Sequence, residues 1–320
     1  MSTIDDAITL ASRHGLHLAS PGATVNEAGL DYRVVMASDE RGRGWVLRLP
    51  RRADVSGGMA AEARSLDLVG PVLATDGVAV PDWQVRSTEL VAYPALPGAP
   101  GLTLTDGGEP VWHIDPASPD YAVRLGRLLA RLHSIRPEQA EAAGVDVRTP
   151  EQVRQSWHDD IKTVRAEFTV APELCEAWDD WLADDTCWPD QTVMTHGEIY
   201  PAHVLLAEDG TITGVLDWTT ARVDDPARDL AAQYGAAGEE MLQVTVEAYA
   251  QAGGHVHPGL AAQARRLWHA SPIGYAQYAL ITGAEGDLAA ASAMLNPPGP
   301  ATGLVVMARD VVNGVVFGSR

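Results

Sequence analysis

Between Asp31 and Pro50 the apolar positions recur every second residue. In DYRVVMASD, Tyr32, Val34 and Met36 share one face, and in WVLRLP, Trp45, Leu47 and Leu49 do the same. The polar, glycine-containing DERGRG between them predicts a β-hairpin. Before it, TIDDAITLASRHG reads as a short helix. Ser2 or Thr3 is its cap, Asp5 and Asp6 stand in its first turn, and Gly15 lies past its end. After the hairpin, Met59–Val69 has helical spacing, and strands are expected near Val85–Arg86 and Leu90–Tyr93. A proline- and glycine-rich stretch, PALPGAPGLTLTDGGEP, then marks a boundary, beyond which helices dominate. YAVRLGRLLARLHSI carries Val123, Leu125, Leu128, Leu129 and Leu132 on one side, and Pro150–Leu182 predicts two more amphipathic helices. The texture changes again in QTVMTHGEIYPAHVLLAEDGTITGVLDW. It reads as a strand to Thr195, a loop, and a hairpin of Val204–Ala207 and Thr213–Leu216 around Asp209-Gly210. From Pro226 the chain is helical once more, with breaks near Gly253–Gly254 and Pro297–Pro300.

Composition narrows the partners. Of the 320 residues 46% are apolar, ample for a core, and 23 basic against 43 acidic side chains give a net charge of −20. Such a surface repels phosphate backbones, so nucleic acid is not an expected partner, whereas small cations are favoured. Lys162 is the only lysine, and Ile161 before it excludes a GxxxxGK[ST] phosphate loop. Cys175 and Cys187 do not make a disulfide framework and point to a reducing compartment. The start lacks the basic-then-apolar pattern of a signal peptide, and the charge-free stretches carry too many breakers to span a membrane. A cytoplasmic monomer is the expectation.

Chemistry concentrates in the middle segment. His196, Glu198, His203 and Asp217 sit on or beside short apolar strands, where a packed core has no use for them. A strand, loop and hairpin can bring them to one mouth. There one carboxylate can orient or deprotonate a hydroxyl, while a His/Asp pair holds a divalent cation on phosphate oxygens. Other candidates have plainer readings. Trp268, Tyr275 and Tyr278 recur at helical spacing and suit either a core or an apolar groove for a bulky ligand. Trp178, Trp181 and Trp188 suit packing between helices; Asp184 and Asp185, a polar turn; His255 and His257, a polar loop; and Arg51 and Arg52, a solvated strand end.

HGEIYPAHVLL followed by GVLDWTTARVDDPARDLA resembles the aminoglycoside phosphotransferase family of protein-kinase-like enzymes, whose usual form is HGDxxPxN…IDW…DPxxDL. Histidine at 203, together with NEAGLDYRVV, WVLRLPRR and ELVAYPALPG, is most similar to its macrolide 2′-phosphotransferase branch. The resemblance implies a bilobal α+β protein-kinase-like fold. A small antiparallel-sheet N-lobe at residues 1–95 would bind nucleotide, a hinge would lie near 92–97, and a larger mainly helical C-lobe would span 98–320. It implies a catalytic role for Glu198, magnesium ligation by His203 and Asp217, and bracing of the catalytic loop by His196 and Asp229. It also implies phosphate contact by Arg48, with Glu62 as its helix-borne ion-pair partner, and purine pairing by the backbone around Ala92 and Tyr93. The implied reaction moves the γ-phosphoryl group of GTP, or ATP, to the 2′-hydroxyl of a macrolide amino sugar. The alternatives are a kinase of an aminoglycoside or other small hydroxylated amine, and a nucleotide-binding pseudokinase. Two departures stand out. Glu198 replaces the family Asp, adding about 1.5 Å of reach, and the segment Asn26–Leu30 has one glycine in place of a glycine-rich loop.

Overall fold

The structure, a computed structural model, describes residues 3–27, 29, 31–105 and 109–297. Helix α1 (Thr3–Arg13) leads into β1 (Leu18–Asn26), then the expected hairpin β2 (Tyr32–Asp39) and β3 (Gly44–Pro50). Ser2, one of the two expected caps, lies outside the described residues, as do Pro298–Pro300 of the last expected break; Thr3 is already helical. Helix α2 (Ala53–Ala74) follows, then β4 (Val85–Arg86) and β5 (Val91–Pro94). These five strands form one antiparallel sheet in the order β1-β2-β3-β5-β4. The β2–β3 register pairs Tyr32 with Pro50, Val34 with Arg48 and Met36 with Val46.

That register sorts the side chains into two faces. One carries Val35, Trp45, Leu47 and Ala92, which bury Ala7 and Ala11 of α1. The other carries Tyr32, Val34, Val46, Arg48, Val91 and Tyr93 towards α2, whose Val55, Met59, Leu66, Val69 and Leu73 are buried. Within this sheet lobe two elements exceed the expectation. β1 was not legible, because its register shifts between Ala19 and Thr24, around Pro21 and Gly22 (φ 80°), and most of it is exposed. A bulged edge strand shows no alternation. Helix α2 runs six residues further towards the N-terminus than its apolar spacing, through Gly57 and Gly58. Packing of Val55 and Met59 overrides the local cost of those glycines.

Beyond Pro94 the chain forms short β6 (Ala99–Pro100), β7 (Leu102–Leu104) and β8 (Pro110–Trp112) before the helices begin. Helices α3 (Pro119–His133), α4 (Pro137–Ala142), α5 (Pro150–Glu167) and α6 (Pro172–Ala183) precede β9 (Val193–Thr195). Then come β10 (Val204–Leu206), β11 (Ile212–Val215) and β12 (Arg222–Asp224), and helices α7 (Arg228–Gln251), α8 (Leu260–His269), α9 (Ser271–Thr282) and α10 (Glu285–Leu295). The chain therefore has the antiparallel sheet and mainly helical remainder of a protein-kinase-like fold. α3 packs closely on α7. A Cβ at Gly126 would come within 2.4 Å of the Thr245 carbonyl, so only glycine permits the approach. Trp181 stacks on Trp188 at 5.1 Å and meets Trp157 edge-on, so Trp178, Trp181 and Trp188 are core, as expected. Asp184 accepts from the Thr186 backbone in a turn. His255 pairs with Asp190 at the surface, but His257 is buried, contrary to a polar-loop reading.

Candidate active site

The segment from β9 to β12 is built around Asp229, in the first turn of α7 and fully buried. Its Oδ2 accepts the His196 amide at 2.9 Å, and its Oδ1 accepts the Gly197 amide at 2.6 Å. His133 Nε2 donates to Oδ2 at 3.0 Å, and its Nδ1 then accepts the Tyr249 hydroxyl at 3.0 Å. Burial alone would raise the Asp229 carboxyl, but its bond from His133 and its other donors hold it below the usual range. Gly197 has φ 89°, and a Cβ there would stand 2.6 Å from Arg228 Nη2 and 2.9 Å from the Thr220 carbonyl. Glycine is required at that turn.

His196 has no solvent exposure. Its Nε2 donates to the Leu216 carbonyl at 2.9 Å, and its Nδ1 accepts the Glu198 amide at 3.2 Å. That pattern fixes a neutral ring, and burial pushes its pKa down to about 4. Its ring meets Trp218 at 4.7 Å, and Thr220 Oγ1 donates to its carbonyl. His196 thus links the loop before β10 to the turn after β11.

Those links bring Glu198, His203 and Asp217 together. His203 Nδ1 donates to the Glu198 carbonyl at 2.9 Å, which leaves the Nε2 lone pair 3.9 Å from Asp217 Oδ2. Tyr200 covers the imidazole at 4.5 Å between centroids. Burial lowers the His203 pKa, against the charge of Asp217, and keeps the ring neutral. Asp217 is the one non-glycine described residue with positive φ, at 59°. Thr219 Oγ1 donates to its Oδ1 at 2.7 Å, and Arg48 Nη2 stands 3.6 Å from the same oxygen. Burial would raise Asp217, but the Arg48 guanidinium and the bond from Thr219 outweigh it and hold the carboxyl well below the carboxylate range. Glu198, 8% exposed, goes the other way. Burial first, then the charges of Asp217 and Asp31, push its carboxyl well above its ordinary value, with Arg228 opposing. Two neighbouring acids are thus driven apart in acidity, the arrangement that separates a proton acceptor from a permanent anion.

The sheet supplies the ceiling. Arg48 Nη1 bonds Glu62 Oε1 at 2.6 Å with both side chains buried, and the guanidinium lies 3.9 Å over the Tyr32 ring. Tyr93 lies within the electrostatic reach of Arg48, Glu62 and Asp217. Ala92 is different. It lies inside β5, paired with Leu47 on one side and Val85 on the other, and its carbonyl accepts the Gln84 amide. Its backbone is committed to the sheet, so the expected purine contact at Ala92 is corrected. The chain leaves the sheet only after Pro94, because β5 stays paired to Trp45 at that residue.

The aromatic trio is also divided. Trp268 packs against α7, where a Cβ on Gly235 would strike its ring at 2.3 Å, so it is core and lines no groove. The Tyr275 hydroxyl reaches Asp287 of α10 at 3.5 Å. Tyr278 faces the sheet lobe, with the Arg52 guanidinium 5.5 Å over its ring. Arg51 and Arg52 are not a solvated strand end. They bond Glu27, Gly29, Asp31 and Asp54. His133, Asp31 and Arg52 escaped sequence reasoning, since their partners lie 96, 21 and more residues away or in the opposite lobe.

Among the described residues no three His, Cys, Asp or Glu side chains cluster as a metal cage. The pair His203 Nε2 and Asp217 Oδ2 suits a different arrangement, in which two protein ligands share an ion with phosphate oxygens. With ligand distances of about 2.0–2.6 Å, a 3.9 Å span fits two ligands of one ion.

A fold with a sheet lobe over a helical lobe, and acids and imidazole meeting an arginine–glutamate pair between them, defines a kinase-like phosphotransferase. Residues 22–268 match the phosphotransferase enzyme family, APH, and the chain belongs to it. It is 37% identical over 283 residues to the uncharacterized protein YcbJ of Bacillus subtilis (strain 168), covering 87% of this chain and 91% of that protein. The structure is similar to that of the macrolide 2′-phosphotransferase MphH from Brachybacterium faecium, an apoenzyme. The two share 49% identity and a TM-score of 0.84, over 93% of this chain and 99% of that one. It is also similar to a macrolide 2′-phosphotransferase type I, at 42% identity and a TM-score of 0.86, over 93% and 99% of the two chains.

Proposed function

We propose that this phosphotransferase moves the γ-phosphoryl group of GTP to the 2′-hydroxyl of a macrolide amino sugar and so inactivates the drug. The observation that carries the reading is the tautomer of His203. Its Nδ1–H is engaged by the Glu198 carbonyl, and its Nε2 is turned to Asp217 beneath Arg48. The two macrolide 2′-phosphotransferases at 49% and 42% identity support the acceptor class.

In this reading Arg48, fixed through Nη1 by Glu62, presents Nη2 to the phosphates. A guanidinium suits that post because it is always charged and bridges phosphate and carboxylate in one plane. His203 Nε2 and Asp217 hold a magnesium ion, which neutralises charge on the phosphate oxygens. Glu198 takes the hydroxyl proton of the acceptor, and the burial that raises its pKa makes its ionised form a stronger base than an exposed carboxylate. The longer acid works because the loop that carries it is set by Asp229 and His196. The purine edge pairs with the Pro94 carbonyl and the Leu96 amide, beside Tyr93, where β5 ends; the Ala95 amide between them is taken by the Gly44 carbonyl at 2.9 Å. Residues 1–95 act as the nucleotide lobe, and the remainder receives the acceptor. The cationic amine of the sugar finds acids within electrostatic reach of Glu198, in Asp31 and Asp217. The enzyme acts as a monomer in the cytoplasm, where GTP and the ribosome are.

The test is a matrix of GTP and ATP against a 14-membered macrolide, a 16-membered macrolide and an aminoglycoside, read by product mass. The reading expects an 80-Da gain on a macrolide, greatest with GTP. A gain confined to the aminoglycoside, or thermal stabilisation by GTP and magnesium without any product, overturns it.

A further inference from the structure

The connection from Glu27 to Asp31, between β1 and β2, has one glycine, so it lacks the run of glycines that lets backbone amides wrap a phosphate chain. Its described residues, Glu27, Gly29 and Asp31, are held from outside instead. The Arg51 amide donates to the Asp31 carbonyl at 2.8 Å; its Nε reaches the Gly29 carbonyl at 3.0 Å, and its Nη2 reaches the Glu27 carbonyl at 2.8 Å and carboxylate at 2.6 Å. Arg33 Nε takes the other Glu27 oxygen at 2.6 Å. Every one of these contacts stays within the sheet lobe.

Arg52 differs. Its Nη2 bonds Asp31 Oδ1 at 2.7 Å, its Nε bonds Asp54 Oδ1 in the first turn of α2 at 3.1 Å, and its guanidinium lies over Tyr278 of α9. Helix α9 is fixed in the helical lobe, where Gln277 Nε2 donates to Asp160 of α5 at 3.0 Å. One guanidinium therefore joins the connection, α2 and the opposite lobe. Asp31 stands close enough to Glu198 for its charge to act there.

We propose that Arg52 is a positioning residue that ties the β1–β2 connection to α9 and so presets the phosphate side of the cleft before nucleotide arrives. The inference rests on the nucleotide-binding role proposed above. A connection already placed loses less freedom when the triphosphate binds, so the tie acts on nucleotide affinity. Arg51 orders the same connection without joining the lobes. Arg52→Lys keeps a charge for Asp31, but it lacks the planar fork that reaches two carboxylates while stacking on a ring.

The test measures Mg·GTP binding by calorimetry and hydrogen exchange of residues 27–31 in wild type, Arg52→Met, Arg52→Lys, Tyr278→Ala and the double variant Arg52→Met/Tyr278→Ala, each checked for a native circular dichroism spectrum. The account expects Arg52→Met to bind about tenfold more weakly and to exchange faster at 27–31, with Arg52→Lys recovering part of the loss. It expects the double variant to be no more than twofold worse than Arg52→Met, because both changes cut one link. Weakening of less than fivefold in Arg52→Met, or full additivity with Tyr278→Ala, overturns the proposal. Neither readout uses an acceptor. A wild type that binds Mg·GTP but modifies no macrolide sinks the proposed reaction and leaves this test intact.

Discussion

Replacing Asp229 with alanine removes the acceptor of three donors at a point with no solvent exposure. Two are backbone amides, of His196 and Gly197, and the third is His133 Nε2. A buried donor left without a partner costs roughly 1–3 kcal/mol. Water entering the vacated volume can satisfy part of the set, so the expected loss is about 3–5 kcal/mol. That is a large share of the roughly 5–15 kcal/mol by which domains are stable, yet it leaves a folded protein. Function falls further than stability. The Gly197 turn carries Glu198, and a displacement near 1 Å costs about a hundredfold in rate. Asp229→Asn keeps the volume and one oxygen but turns an amide N–H towards a donor, so about half the destabilisation is expected. Guanidinium unfolding followed by tryptophan fluorescence, together with kcat on the same samples, provides the assay. Asp229→Ala within about 1 kcal/mol of wild type, with activity within threefold, refutes the bracing role.

Three further outcomes follow from the same geometry. Glu198→Asp shortens the acid by about 1.5 Å and is expected to lower kcat about a hundredfold; a gain in rate would mean that the natural acid is badly placed. The rate should also fall on acidification through a midpoint above that of an ordinary glutamate, because Glu198 accepts a proton only when ionised and burial raises its pKa. His196 makes stability pH-dependent. Its pKa is about 4 folded and about 6.5 unfolded, so the unfolded chain binds the extra proton between those values and stability drops as pH falls through that window. The drop is on the order of 3 kcal/mol, and pH-resolved denaturation of His196→Gln should show the slope flattened.

The hairpin of β10 and β11 was legible because its strands are short, apolar and joined by a clear turn, whereas β12, charged at Arg222 and Asp224, carries no apolar alternation and was not anticipated. The hairpin of β2 and β3 was legible from its local alternation. β1 was hidden by a bulge at Pro21–Gly22 that resets the phase of an exposed edge strand. The spacing of Trp268, Tyr275 and Tyr278 marks a helix but does not say what each face meets. Only packing shows Trp268 against Gly235 and Tyr278 against Arg52. His133 serves Asp229 from 96 residues away, a pairing with no local trace. The committed backbone at Ala92 follows from the Gln84 amide on its carbonyl and the pairing with Val85, contacts that the residues after Leu90 do not encode.

The central claim is that the imidazole of His203 and the carboxylate of Asp217 share a divalent cation with nucleotide phosphate. Pulsed electron paramagnetic resonance of Mn²⁺ bound with a non-hydrolysable GTP analogue tests it most directly. The account predicts a nitrogen hyperfine coupling from one directly bound imidazole, lost in His203→Ala while the folded spectrum persists. A nucleotide-bound Mn²⁺ with no nitrogen coupling in the wild type would contradict it.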